Sequence, residues 1–296
     1  MSKRTRLEED SDIDISSSED EKLEVQSDDE MEDMVNVDFD FYNLNPDIDF
    51  HATKNFLRQL FQDDSVFFPL SELADMILKE GHLGTTIKTE GMESDPFSML
   101  TVLNFSDNLN NKAIKSLADY FLEKSASNSP LNNQLKSLLT STSKQRIGMI
   151  FSQRLINMPV ETSPPMYNML LEEMENAADK EKEYNFDYYL IPSRVYQILS
   201  SKADKELEDE ETSGSRKKAK SGSSGPATFD YMHYEDEIFE KNAVSKGYFE
   251  YTHKKVDSDG RRVFNDYAVD PKLSLILLNK ESMLKSVKEM AEEFPY

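Results

Sequence analysis

The stretch FDYYLIPSRVYQIL, Phe186–Leu199, decides what kind of sheet this chain can build. Its aromatic and β-branched residues fit a pleated, packed surface and predict a strand. Pro192 stands in the middle of it. Proline has no N–H to give to a ladder, so the strand is expected at a sheet edge or around a bulge. A second signal agrees. KGYFEYTHKKV (Lys246–Val256) and RRVFNDYAV (Arg261–Val269) flank DSDG, where Asp259–Gly260 is a hairpin turn signal. Both features argue against an all-parallel sheet.

Helical and strand patterns alternate on either side of that stretch. Val35–Phe41, within VNVDFDFYNLNPDIDF, alternates and predicts a strand with Val35, Val37, Phe39 and Phe41 on the buried face. Asp38 and Asp40 then share the wet face. In DIDFHATKNFLRQLF, Phe50, Phe56, Leu57, Leu60 and Phe61 recur at helical spacing. PLSELADMILKE predicts a helix capped by Ser71 and ended by Gly81. LGTTIKTE and the more continuously apolar FSMLTVLNF predict strands, the second buried on both faces. Helices near Asn111–Lys124 and Pro130–Leu139 precede a strand, RIGMIFSQRL, from Arg146. SPPMYNMLLEEMENAADKEKE predicts a long acidic helix opened by prolines. YEDEIFEKNA is a short helix, KLSLILLN a last strand and KESMLKSVKEMAEEF a last helix. The fold class is α/β of the α+β kind: a mixed, largely antiparallel sheet flanked by helices.

Two segments break the pattern. Met1–Met34 carries fourteen acids against Lys3, Arg4, Arg6 and Lys22, with no hydrophobic periodicity, and predicts a disordered acidic tail. Ser201–Ala227 carries six acids and six bases with almost no apolar residue, and predicts a disordered insert. Residues 35–296 would otherwise be one domain, with about 235 residues outside the tail and the insert.

Charge narrows the function. The tail holds −10 of the formal net charge of −23, which leaves −13 on the rest. An acidic body repels phosphate backbones, so direct nucleic-acid binding is not expected, and a basic protein is the natural partner. With no cysteine, thiolate metal sites and a cysteine nucleophile are excluded. The longest apolar run, LSLILL at Leu273–Leu278, is too short to span a bilayer, and no apolar leader opens the chain. A soluble intracellular monomer is expected.

Searches for chemistry return little. No phosphate-binding glycine loop or G-x-S-x-G elbow is present, and His51, His82, His233 and His253 are scattered singly. DSDGRR fails as a calcium loop because arginines stand at its fifth and sixth positions. Asp38 and Asp40, about 6.5–7 Å apart by strand rise, have the spacing of paired acid–base carboxylates. Nothing in the sequence desolvates them, and a solvated strand face or a partner contact is the simpler reading. Acidic partner-binding candidates also lie on two helices: Glu172 and Glu173 with Glu175 and Glu183, and Glu235, Asp236 and Glu237 with Glu240. Arg216, Lys217, Lys218 and Lys220 form an import-like cluster that a nuclear transport receptor would grasp. Ser11, Ser17, Ser18 and Ser27 each have an acid three residues on, the pattern of acid-directed phosphorylation.

The blocks VNVDFDFYNLNPDIDFHATKNFLRQLF, LGTTIKTEGMESDPFSMLTVLNF, SQRLINMPVETSPPMYNMLLEEM and EDEIFEKNAV together resemble the BCCIP family, in its fungal form. The departures are small: Ala52 and Asp40 stand where that pattern has glycine and glutamate. The resemblance implies a non-catalytic protein that shuttles between nucleus and cytoplasm. It further implies a chaperone for a basic ribosomal protein of the universal L-fourteen family in large-subunit assembly. The implied scaffold is that of the GCN5-related N-acetyltransferases. The [QR]-x-x-G-x-[GA] loop that would hold coenzyme A is missing from this sequence, so no cofactor is expected. A diverged acyltransferase and a transport adaptor for non-ribosomal clients are the competing readings. If Arg216–Lys220 directs import, Lys217→Ala with Lys218→Ala should move a fluorescent fusion towards the cytoplasm at unchanged melting temperature. An unchanged nuclear fraction would assign entry to another segment.

Overall fold

The computed structural model describes residues 38–79, 82–178, 184–198, 228–253 and 269–296. The tail, the insert with its import-like cluster, and the Asp259–Gly260 turn lie outside these. Among the described residues the strands are β1 (Asp40–Asn43), β2 (Gly84–Lys88), β3 (Ser98–Asn104) and β4 (Ile147–Arg154). They continue with β5 (Tyr188–Ile198), β6 (Thr228–Tyr231), β7 (Ser245–Glu250) and β8 (Val269–Asn279). One sheet runs in the order β1-β2-β3-β4-β5-β8-β7, and β6 pairs with β5 beyond the end of β4. Every pairing is antiparallel except β4 with β5.

The strand sequences dictate helices on both sides. In β4, Ile147, Met149 and Phe151 enter one apolar cluster, while Ile150 enters the other. In β8, Leu273, Leu275 and Leu277 face the first cluster, and Ile276 and Leu278 face the second. A strand apolar on both faces has to be covered twice. The first face is covered by α1 (Phe50–Phe61), α2 (Leu70–Ile77), α4 (Lys112–Lys124) and α5 (Ser129–Leu138), with the short α3 (Phe105–Asn108) between β3 and α4. The second is covered by α6 (Ser163–Ala178), α7 (Glu235–Asn242) and α8 (Lys280–Glu293). The helical spacing in the sequence gives the buried residues of α1, namely Phe56, Leu57, Leu60 and Phe61.

Pro192 lies neither at an edge nor in a bulge, because β5 is central and its register with β8 runs unbroken through Pro192 and Leu275. The reason is local. The Lys280 N–H donates to the Asp187 carbonyl, which sets the alternation along this ladder and leaves Pro192 opposite Leu275 as a pair that exchanges no bond. The proline nitrogen therefore points to the other side of β5. There β4 pairs only with Tyr188–Leu190 and β6 only with Val195–Ile198, so no ladder bond is lost.

Other expectations change in smaller ways. Among the described residues the first strand is Asp40–Asn43, at the free edge of the sheet, with Asp38 and Phe39 ahead of it, while residues 35–37 of the expected strand lie outside them. Ser71 is inside α2, whose N-cap is Pro69. β7 pairs directly with β8, so the antiparallel partner of KGYFE is the last strand. β6 is a strand the sequence does not advertise, four residues long directly after the insert.

Phe39 and Phe41 do turn to the second core cluster while Asp38 and Asp40 stay exposed, but as an edge flank both rings are only half-buried. Phe61, by contrast, is fully buried among Phe68, Tyr120 and Phe121. Phe61→Ala should cost about 3–5 kcal/mol and Phe39→Ala about half of that or less, read by urea denaturation. Equal costs would place Phe39 in the core.

Candidate functional site

The first candidate is sealed inside the protein. Where β4 and β5 part, the start of α7 enters the gap. The guanidinium of Arg154, at the end of β4, donates to Glu235 (3.0 Å) and to the Met158 carbonyl (2.9 Å). The Ser163 hydroxyl, at the start of α6, donates to the same carboxylate at 2.9 Å. Asp236 is hydrogen-bonded to the Ser193 hydroxyl on β5. Burial alone would raise the Glu235 carboxyl, but the charges and donors around it, Arg154 among them, hold it below its usual range. Asp236 is pushed well above its usual range by burial and then by the neighbouring charge of Glu235. Burial lowers His233 to about 4, so its imidazole is neutral near pH 7.

Two neighbouring carboxyls, one held below and one pushed above its usual range, have the form of an acid–base pair. Here they are 1% and 2% exposed, which leaves a substrate no access. Their work is to hold α7 between the diverging strands. Glu235 and Asp236 are therefore not surface residues, a correction to their reading as partner contacts. The sequence pattern EDE hides this, because nothing in it marks which acids turn inward. Of that trio only Glu237 is exposed.

Three further buried acids are also answered by donors. Glu240 accepts from Tyr231 (3.0 Å), Ser274 (2.9 Å), Lys246 (3.0 Å) and Tyr248. Asp64 accepts from Tyr120 and from the backbone N–H groups of Thr252 and His253, and pairs with Lys124 at 3.0 Å. Burial would raise Asp64, but these donors bring it down to about 2. Asp49 pairs with the fully buried Lys88 at 2.7 Å. The interior charge is thus internally matched and offers nothing to a partner.

The second candidate is open. A groove of about 510 Å³ runs between α6, the approach to β5 and α8. Helical spacing puts Asn168, Leu171, Glu172 and Glu175 of α6 on one wall. Lys280 and Leu284, one turn apart on α8, form the other. Met174, Tyr184, Asn185 and Tyr189 complete the lining. Met174 and Tyr189 are buried, whereas Leu284 is 50% exposed. Glu172 and Glu175 are exposed at the rim. An apolar floor inside an acidic rim is the form of a protein-binding surface with anchor and steering parts.

The structure brings Glu172 to this groove with Glu175, but not Glu173. Glu173 is half-buried and accepts the Gly84 N–H at 3.1 Å; burial raises its carboxyl, opposed by that bond. Gly84 itself is at φ +145°, and a Cβ there would lie 2.6 Å from the Leu100 carbonyl oxygen, so this anchor needs glycine. Asp38 and Asp40 stay on the β1 edge, where the Tyr42 hydroxyl donates to Asp40 at 3.2 Å. Glu183, the phosphorylation candidates Ser11, Ser17, Ser18 and Ser27, and the cluster Arg216, Lys217, Lys218 and Lys220 lie outside the described residues. The α8 wall was missed in the sequence, although a signal was present. Met283, Val287 and Met290 form the buried stripe of α8 at positions i, i+4 and i+7, and Leu284 falls off it.

Comparison with known proteins places the chain. The BCCIP family model matches residues 34–239. Protein BCP1 of Debaryomyces hansenii is 49% identical over 276 residues, covering 90% of this chain and 89% of that protein. Protein bcp1 of Schizosaccharomyces pombe is 41% identical over 261 residues, covering 88% and 90%. The crystal structure of BCP1 from Saccharomyces cerevisiae superposes with a TM-score of 0.59 at 32% identity, covering 91% of this chain and 93% of that one. With a family model over most of its length and relatives this similar over about nine-tenths of it, the chain belongs to the BCCIP family.

Proposed function

We propose that this protein is a non-catalytic acidic escort for a basic ribosomal protein of the large subunit, of the universal L-fourteen family, moving between nucleus and cytoplasm. The observation that carries the reading is the groove between α6 and α8, an apolar floor under an acidic rim on a chain of net charge −23. A free ribosomal protein is basic because its surface is made for RNA phosphates, so outside the ribosome it attracts RNA. An acidic body occupies that surface and speeds encounter at low salt. Charge alone would not select one client, since each exposed ion pair contributes only about 0–1 kcal/mol. Selection needs buried anchors, and the groove offers a place for them.

Two measurements test this. Binding of the purified client should weaken with salt yet persist at about 0.5 M, where the Debye length is only about 4–5 Å. RNA added to the preformed complex should fail to release the client. Loss at moderate salt, or equal affinity for any basic ribosomal protein, would reduce the chain to a polyanionic buffer. We read the mixed sheet as the acetyltransferase-like scaffold implied by the resemblance, without its activity. Calorimetric titration with acetyl-coenzyme A should accordingly give no saturable heat, and saturable binding would revive the enzyme reading.

A further inference from the structure

We infer that the α6–α8 groove takes a lysine side chain of the client, its ammonium between Glu172 and Glu175 and a flanking aliphatic residue against Leu171 and Leu284. The inference rests on the escort reading and goes further by naming the chemistry of the anchor.

The two carboxylates lie three residues apart on α6, on the same exposed side. Among the described residues neither has an ion-pair partner, in contrast to the buried Asp64, Glu235 and Glu240. They are the rim charges left for an outside cation. The groove already accommodates one ammonium, that of Lys280, whose Nζ donates to Asn185 Oδ1, in the approach to β5, at 3.3 Å. Two separate carboxylates on successive turns suit a compact ammonium with three free donors better than a planar guanidinium, which prefers both bonds from one carboxylate. Leu284, half exposed on the facing α8 wall, gives the aliphatic neighbour a surface to cover.

Lys280 makes the inference sharp. It repels an incoming ammonium across the groove, so removing its charge should strengthen binding, whereas a merely structural lysine would not behave so. The test titrates the full-length, nitrogen-15-labelled chain with an acetylated, amidated Leu-Lys-Leu peptide at low salt, read by NMR. Saturable shifts should appear in the amides of α6 and α8. Glu172→Gln with Glu175→Gln should weaken the peptide about five- to tenfold, the sum expected from two exposed ion pairs. Lys280→Met should tighten it about two- to threefold, and norleucine in place of the peptide lysine should weaken it about as much as the double glutamine variant does. All these positions are exposed, so melting temperatures should hold.

No saturable shifts in the groove, or no change in either variant, overturns the lysine anchor. The purified client separates this from the parent reading. A client that binds wild type and the double glutamine variant equally removes the groove but leaves the escort. A groove that binds the peptide as stated beside a client that does not bind at all removes the escort but leaves the lysine site.

Discussion

Double-sided burial of the central strands is the constraint on which the rest of this structure depends. β3, β4 and β8 put apolar side chains into both core clusters, so helices have to arrive on both faces. The chain delivers α1–α5 to one face and α6–α8 to the other. Function follows from the second group. α6 is the crossover between the one parallel pair, β4 and β5, while α8 returns from β8. Their approach on the same face leaves the groove between them.

Charge is sorted by the same architecture. An acid taken inside costs several kcal/mol unless it is paired or hydrogen-bonded. Glu235 is paired with Arg154 and held below its usual range, while burial and the charge of Glu235 push its neighbour Asp236, bonded to the Ser193 hydroxyl, well above its own. The acids that stay outside have no such constraint and remain available to steer a partner. The sequence pattern alone cannot separate the two kinds, because EDE at Glu235–Glu237 and EEME at Glu172–Glu175 look alike in composition.

Much of the fold was legible. Every long periodic segment among the described residues took its expected type, because the amphipathic face of α1 and the two-sided strands β3 and β8 are set by local spacing. What was not legible depended on neighbours. Pro192 reads as an edge residue until the parting of β4 and β6 is known. β6 is too short to show a period, and among the described residues the first strand runs past the alternating stretch to Asn43 because its pairing with β2 covers Asp40–Asn43. Of the candidate site, Glu172 was found by charge density and Glu173 by the same signal, yet only Glu172 lines the groove. The wall contributed by Lys280 and Leu284 exists only once two helices distant in sequence pack side by side.

The short meeting of β4 and β5 has a consequence for how the molecule is made. β1 to β4 are successive antiparallel neighbours, each pairing with the strand before it. As the chain leaves the ribosome, this four-stranded half can assemble with α1, α2, α4 and α5 from contacts close in sequence. It then presents β4 as an open edge, a template for any unpaired strand nearby. The second half joins it in the sheet through the pairs from Ile147 with Tyr188 to Met149 with Leu190, and off the sheet through the α7 contacts with Arg154 and through Leu273, Leu275 and Leu277 packed under the first group of helices. Among the described residues the backbone ladder between the halves is three residue pairs long, and the apolar side chains that seal the first cluster from below come from β5, β7 and β8, so the nascent protein spends the translation time of α6 with its sheet half built and its growing edge uncovered.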